Sequence, residues 1–179
     1  MPESKILPII TLTHFDTKLG PMFACATEQG ICMLEFSGKH TPETELKVLS
    51  KKLQATVILG ESKYFAPLKQ QLDEYFDGKR KDFDIPLVLI GTDFQKEVWT
   101  ELLRIPYGTT RSYKQQAIAL NNLEAIRAVA GANGMNKISI IIPCHRVIGE
   151  DGSLTGYGGG LWRKKKLLDI EQSQLKLAI

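Results

Sequence analysis

The period of the apolar pattern changes partway along the chain, and that change limits the fold more than any other feature. Up to about residue 86, segments near 6–15, 21–27 and 31–36 are rich in Ile, Leu, Phe and Thr, the composition of half-buried strands. Glu28-Gln29-Gly30 lies between the last two as a hairpin turn, so the three segments form a β-meander. Thr41 followed by Pro42 reads as an N-cap with proline in the first turn of a helix reaching about Leu53. A second helix over Tyr64–Phe76 carries Phe65, Leu68, Leu72 and Phe76 on one face, and short strands at 55–59 and 83–85 complete an α/β unit.

Beyond about 86–91 the period becomes helical. Thr92 with Gln95, and Ser112 with Gln115, each form a capping-box pattern. The first opens a helix with Phe94, Val98, Trp99 and Leu102 on its buried side, which ends before Pro106-Tyr107-Gly108. The second opens a helix over about 113–120, followed by the tight turn Asn121-Asn122-Leu123 and an Ala- and Gly-rich helix over about 124–134. Two short helices around such a turn outline a helix-turn-helix. Ile138–Ile142 then reads as a short buried strand, Gly156-Tyr157-Gly158-Gly159-Gly160 as a loop, and Trp162–Gln172 as a last helix. Two domains are expected, 1–86 and 87–179, within a chain whose 179 residues, 43% hydrophobic with 8 prolines, suit a folded protein rather than a disordered one.

Charge follows the same division. Residues 1–86 hold 11 Lys and Arg against 12 Asp and Glu, and residues 87–179 hold 12 against 8, so the formal +3 is a −1 half joined to a +4 half. The total is too weak to mark a nucleic-acid binder, but its share sits with the helix-turn-helix. No apolar run exceeds the five residues Met22–Ala26, and the first ten residues lack a basic-then-apolar layout, so no membrane partner and an intracellular location are expected. Cys25, Cys32 and Cys144 are too few, and odd in number, for a disulfide framework.

Cys144 follows a strongly apolar segment and precedes His145, the setting of a nucleophilic thiolate or, alternatively, of a buried structural cysteine. Adjacent residues rarely hydrogen-bond side chain to side chain, which favours a water relay from His145 to Cys144. Glu171, on the terminal helix, can orient His145 or simply be solvated. Arg127 projects amid Ala125, Ala128, Ala130, Gly131 and Ala132, small residues that let a helix approach a groove or, equally, another helix. Lys114, Arg111 and Lys137 offer charge to phosphates, whereas Lys164-Lys165-Lys166 reads as a solvated helix face. Tyr113, just after the Ser112 cap, can donate a hydrogen bond or pack in the core, and Asn136 can bridge backbone groups or cap a turn.

Taken together, Ile141-Ile142-Pro143-Cys144-His145-Arg146-Val147-Ile148, Phe94-Gln95, Trp99, Ile105-Pro106-Tyr107-Gly108, Ser112-Tyr113, Arg127-Ala128-Val129 and Gly156-Tyr157 resemble the O6-alkylguanine-DNA alkyltransferases, the methylated-DNA–protein-cysteine methyltransferases. The likeness is dense over 87–172 and loose before it. It implies an α+β fold, with an N-terminal ribonuclease-H-like α/β domain and a mostly helical C-terminal domain. It implies single-turnover repair, in which Cys144 takes the alkyl group from O6-alkylguanine, and also from O4-alkylthymine, in double-stranded DNA. His145 would be the base acting through water, Glu171 its partner, Asn136 the hinge and Tyr113 a donor to guanine N3. Val147, Tyr157, Gly158 and Gly159 would hold the base. Arg127 would fill the space of the extruded nucleotide, with Ala128, Gly131, Ser112 and Lys114 along the DNA.

Three departures accompany the likeness. Gly158 stands where many relatives carry a side chain, which implies a more open pocket and tolerance of larger alkyl groups. Gly134 stands where some carry a basic residue. Some relatives bind zinc in the N-terminal domain, but Cys25, Cys32, His14 and His40 lack ligand spacing, so no metal and no cofactor are expected. The protein is expected to act as a monomer. A non-enzymatic lesion sensor of the same fold would lack the reactive cysteine; an operator-reading regulator would need base-edge donors that the Ala- and Gly-rich helix does not offer; a cysteine hydrolase would leave the helix-turn-helix without a purpose.

Overall fold

The computed structural model describes residues 7–38 and 42–177, the last four by backbone only. The expected N-cap Thr41 and His40 lie outside the described residues. Strands β1 (Ile9–Thr17), β2 (Gly20–Ala26) and β3 (Ile31–Phe36) form the expected antiparallel meander. Helix α1 (Pro42–Leu53) then returns the chain to β4 (Thr56–Leu59), which lies parallel to β1, so the sheet order is β3-β2-β1-β4. Helix α2 (Phe65–Phe76) buries Phe65, Leu68, Leu72, Tyr75 and Phe76. The strand expected at 83–85 does not form. Residues there run without a ladder, and only an isolated bridge joins Ile31 to Leu87. Ile31 donates to the Pro86 carbonyl at 2.9 Å and accepts from the Val88 amide at 2.8 Å, and Pro86, having no N–H, cannot extend this pairing back toward residues 83–85.

The helical half opens with α3 (Asp93–Leu102), and both expected capping boxes are present, Thr92 with Gln95 on α3 and Ser112 with Gln115 on α4 (Tyr113–Ala119). A single 3-10 turn (Leu123–Ala125) leads into α5 (Ile126–Gly134). The turn before it works because Asn121 takes the left-handed conformation (φ 54°), which asparagine tolerates. Buried Gln116 and Asn133 exchange reciprocal amide hydrogen bonds of 3.1 and 2.7 Å, fixing α4 against α5, and the Trp99 indole donates to the Ala132 carbonyl at 2.8 Å, fixing α3 against α5. Strands β5 (Arg111–Ser112) and β6 (Val147–Ile148) form a short parallel pair, and α6 (Leu161–Leu177) closes the chain.

The buried strand expected at Ile138–Ile142 is also corrected. These isoleucines are buried, but only Ile138 bridges, to Leu34, and the rest is turn. One core cluster crosses both halves, joining Leu34 and Leu72 to Trp99, Leu102, Ile142 and Leu167. A second, around Ile10, Phe23, Cys25, Cys32 and Leu49, lies between the sheet and α1. Burial raises the Cys25 thiol well above the ordinary range and the Cys32 thiol to about 12, so both are inert packing groups at neutral pH. No helix among the described residues is long and apolar enough to cross a membrane.

Candidate active site

The segment that carries Cys144 is held by the edge of the N-terminal sheet. The Leu34 amide donates to the Lys137 carbonyl and Leu34 in turn accepts from the Ser139 amide, each at 2.8 Å. Ile140 then turns the chain with φ 72°, a conformation that costs a β-branched residue about 1–3 kcal/mol and persists only where its surroundings enforce it. Here Ile140, Ile141 and Ile142 are each less than a tenth exposed and anchor the turn in the core. Pro143 ends it, and Cys144–Arg146 form one 3-10 turn.

Asn136 ties this segment to the end of α5. Its amide nitrogen donates to the Ile142 carbonyl at 2.9 Å and to the Cys144 Sγ at 3.3 Å, while its oxygen accepts from the Ile138 amide at 2.9 Å. Every polar atom of the side chain is therefore engaged in bridging, one of the two readings the sequence left open. Burial raises the Cys144 thiol; the Asn136 hydrogen bond and the charge of Lys164 act in the opposite direction without overcoming it. Such a thiol rests protonated and needs a base.

His145, the next residue in the same 3-10 turn, is fully buried. Its Nε2 is 2.7 Å from Glu171 Oε1, and its Nδ1 has no protein partner among the described residues. Burial lowers the imidazole below the ordinary histidine range against the upward pull of Glu171, so it is neutral at neutral pH and able to take a proton. For Glu171, burial alone would push the carboxyl up, but the hydrogen bonds and charges of His145 and Arg146 hold it down at about 2. An ionised carboxylate only accepts, so the imidazole proton sits on Nε2 and the lone pair on Nδ1.

Above the thiol, a cleft of about 80 Å³ is lined by Cys144, Asn136, Ser139, Tyr157, Gly158 and Gly159, with Phe23, Glu35 and Phe36 from the N-terminal sheet. The glycine-rich loop is tied down at two places. Arg163 donates to the Leu19 and Gly159 carbonyls at 2.8 and 2.9 Å, and Lys164 donates to those of Thr155 and Gly156 at 2.8 and 3.3 Å. Lys164 is fully buried, which lowers its ammonium to about 8, so the sequence expectation of a solvated lysine face fails at this residue. The Tyr113 hydroxyl donates to the same Thr155 carbonyl at 3.0 Å. Val147 is buried in β6, beside Arg111 of β5.

The helix-turn-helix presents Lys114 from α4, and Arg127, Ala128 and Gly131 from α5, all exposed. Other residues expected to face phosphate are held elsewhere. Arg111 pairs with Glu101 at 2.7 Å, Lys137 pairs with Glu45 at 2.9 Å and Glu35 at 3.6 Å, and the buried Ser112 hydroxyl accepts from the Gln115 amide and donates to Glu150. The missed residue is Lys164, and a signal for it existed. It falls at helical spacing with Leu167, Leu168 and Glu171, all buried, whereas Lys165 pairs with Asp169 on the wet face. No cluster of three or more His, Cys, Asp or Glu able to hold a metal occurs among the described residues.

A thiol backed by an imidazole and a buried carboxylate, opening into a cleft next to a helix-turn-helix, defines a cysteine-centred group-transfer site on a nucleic-acid-type scaffold. Comparison with known proteins specifies it. The family model described as 6-O-methylguanine DNA methyltransferase, ribonuclease-like domain, matches residues 10–89, and that of the DNA binding domain matches 93–173. The chain is 43% identical over 162 residues to the methylated-DNA–protein-cysteine methyltransferase of Methanosarcina barkeri, covering 90% of this chain and 96% of the relative. It is 46% identical over 169 residues to that of Mycobacterium leprae, covering 93% and 95%. The solved Mycobacterium tuberculosis O6-methylguanine methyltransferase superposes with a TM-score of 0.78 at 39% identity, covering 95% and 99% of the two chains. The solved Mycobacterium tuberculosis OGT in complex with DNA superposes with a TM-score of 0.77 at 40% identity, covering 93% and 94% of the two chains. The chain belongs to the methylated-DNA–protein-cysteine methyltransferase family.

Proposed function

We propose that this protein repairs O6-alkylguanine, and O4-alkylthymine, in double-stranded DNA by moving the alkyl group irreversibly to Cys144, acting once and as a monomer. The observation that supports this most is the partly exposed thiol at the base of the cleft, with a neutral, Nδ1-bare imidazole behind it. In this reading His145 takes the thiol proton through a water. The Cys144 sulfur forms a bond to the alkyl carbon as the carbon–O6 bond breaks, and the electron pair returns to the guanine ring. Tyr113 would exchange its Thr155 partner for guanine N3 and stabilise that charge. The carbonyls of Cys144 and Val147 would accept from the guanine amino group, and Tyr157, Gly158 and Gly159 would cover the base. A base inside a stacked duplex cannot present its O6 substituent to a thiol at the base of a cleft, so the nucleotide must leave the duplex, with Arg127 taking its place and Ala128, Gly131 and Lys114 lying along the DNA.

A lesion sensor that only binds has no use for a thiol with a base and an orienting carboxylate, so the enzymatic reading is preferred. The decisive experiment incubates the protein with O6-methylguanine duplex and maps methylation by mass spectrometry. One methyl on the peptide containing Cys144, and none anywhere in Cys144→Ala, is the expected result. An adduct that survives Cys144→Ala overturns the assignment.

A further inference from the structure

We infer that Tyr75, a residue of the N-terminal half, is a positioning residue for the transfer step, acting through Glu171 to set the proton-accepting strength of His145. This rests on the reading of His145 as the base. Tyr75 projects from α2, far from the cleft in sequence, and is fully buried. Its hydroxyl donates to Glu171 Oε1 at 2.7 Å, the same oxygen and the same distance as His145 Nε2. Arg146 donates to Oε1 at 3.1 Å and to Oε2 at 2.9 Å, and the Gly108 amide donates to Oε2 at 3.0 Å. Five donors thus meet a carboxylate that offers about four lone-pair sites.

Tyr75 and His145 therefore compete for electron density on a single oxygen. While the phenol donates, less of the negative charge on Oε1 is available to an imidazolium, so the imidazole is a weaker base and stays neutral to lower pH. The other groups facing this pair do not replace it. The Arg146 guanidinium is the remaining cation on Glu171 and also stacks over the Tyr107 ring at 5.7 Å. The Tyr107 hydroxyl has no protein partner among the described residues, Lys164 acts on His145 through its charge and hydrogen-bonds the Thr155 and Gly156 carbonyls, the Cys144 thiol accepts from Asn136, and Lys81 lies over the Tyr107 ring at 5.9 Å. Among the described residues, Tyr75 is the one donor on the carboxylate that comes from the ribonuclease-like half, which gives that half a part in the chemistry beyond support.

The test measures single-turnover transfer to Cys144 from pH 4.5 to 9 for the intact chain, for Tyr75→Phe and for Tyr107→Phe. In Tyr75→Phe the acidic midpoint of the rate profile is expected about 0.5 higher in pH than in the unmodified protein, with the high-pH plateau kept within about threefold. Tyr107→Phe removes a buried phenol hydroxyl that has no hydrogen-bond partner among the described residues, so its profile should superimpose on the unmodified one. In parallel, 15N spectra of the imidazole, identified by its loss in His145→Gln, follow the titration of His145 without requiring activity. Coincident titration curves for Tyr75→Phe and the unmodified protein overturn the inference, whatever happens to the rate. A shifted titration combined with no transfer to Cys144 in any variant instead overturns the function proposed above and leaves the Tyr75 coupling standing.

Discussion

At Gly158 a side chain would meet open space, since a Cβ built there has no heavy atom within 4 Å and the residue is not left-handed. Its neighbour Gly159 differs, for a Cβ there would come within 2.8 Å of the Tyr157 ring and 3.0 Å of Phe36. Gly158 is thus a choice that leaves the cleft wall low, whereas Gly159 is required by close packing. Benzyl transfer from O6-benzylguanine is therefore expected to be about tenfold faster in the unmodified protein than in Gly158→Ser, with methyl transfer changed much less. Equal or faster benzyl transfer in Gly158→Ser, measured by the same adduct assay, would refute this. The sequence marked Cys144 as a candidate without deciding its role, because a cysteine after a run of isoleucines and before a histidine reads as a nucleophile or as a buried packing group, and the wider set of matching residues favoured the first. It concealed the burial of Lys164 inside a run of three lysines, because only the facing of α6 decides which of them lies against the loop.

Among the elements, those whose hydrogen bonds are local were legible and those whose partners are distant were not. The capping boxes of Thr92 and Ser112 close within three residues of their own helices, so their letters suffice. Residues 138–142 have the apolar content of a strand, yet their backbone is satisfied by turns and by Leu34 from the other half, which no local pattern encodes. The phosphate-facing expectations failed for two different reasons, as Lys137 found carboxylates from α1 and β3 that lie far away in sequence, whereas Arg111 pairs with Glu101 of α3 just 10 residues back. What remains for DNA on α5 is Arg127, exposed on a face of small residues. Arg127→Ala is expected to slow repair of duplex DNA by about tenfold or more, since extrusion of a nucleotide costs a few kcal/mol, while reaction with a free modified base falls less than twofold, by about the same margin as assay error. Equal losses on the two substrates would remove Arg127 from the extrusion step.

At the scale of the whole molecule, the buried ionisable groups predict how the fold responds to pH. Glu171 titrates near 2 in the folded chain against an ordinary 4.5, so its contribution is complete above pH 4.5 and is lost as pH falls through about 2. The difference corresponds to about 3 kcal/mol. His145, held below its ordinary 6.5, loses its contribution in the same direction as acid is added. Glu35 behaves oppositely, since burial holds it at about 7; its contribution is present below pH 4.5 and lost as pH rises through 7. Thermal melting of Glu171→Gln between pH 6 and 2 should show a flatter acid decline than the unmodified protein, and Glu35→Gln a flatter decline between pH 4.5 and 7. Parallel curves would mean that these groups do not control stability.

The pairing of Leu34 with Lys137 and Ser139 has a consequence for solubility and for any attempt to divide the protein. The two family models meet near residue 90, which suggests a place to cut. However, the outer edge of β3 is covered at Ile31 by residues 86–88 of the same half and at Leu34 by the chain that delivers Cys144, so the fragment left after a cut would lose the cover at Leu34 and bare that end of the edge. An uncovered edge of this kind recruits other copies into sheets. The segment that carries Cys144 thus also serves as a cap on the sheet edge of the first half of the molecule.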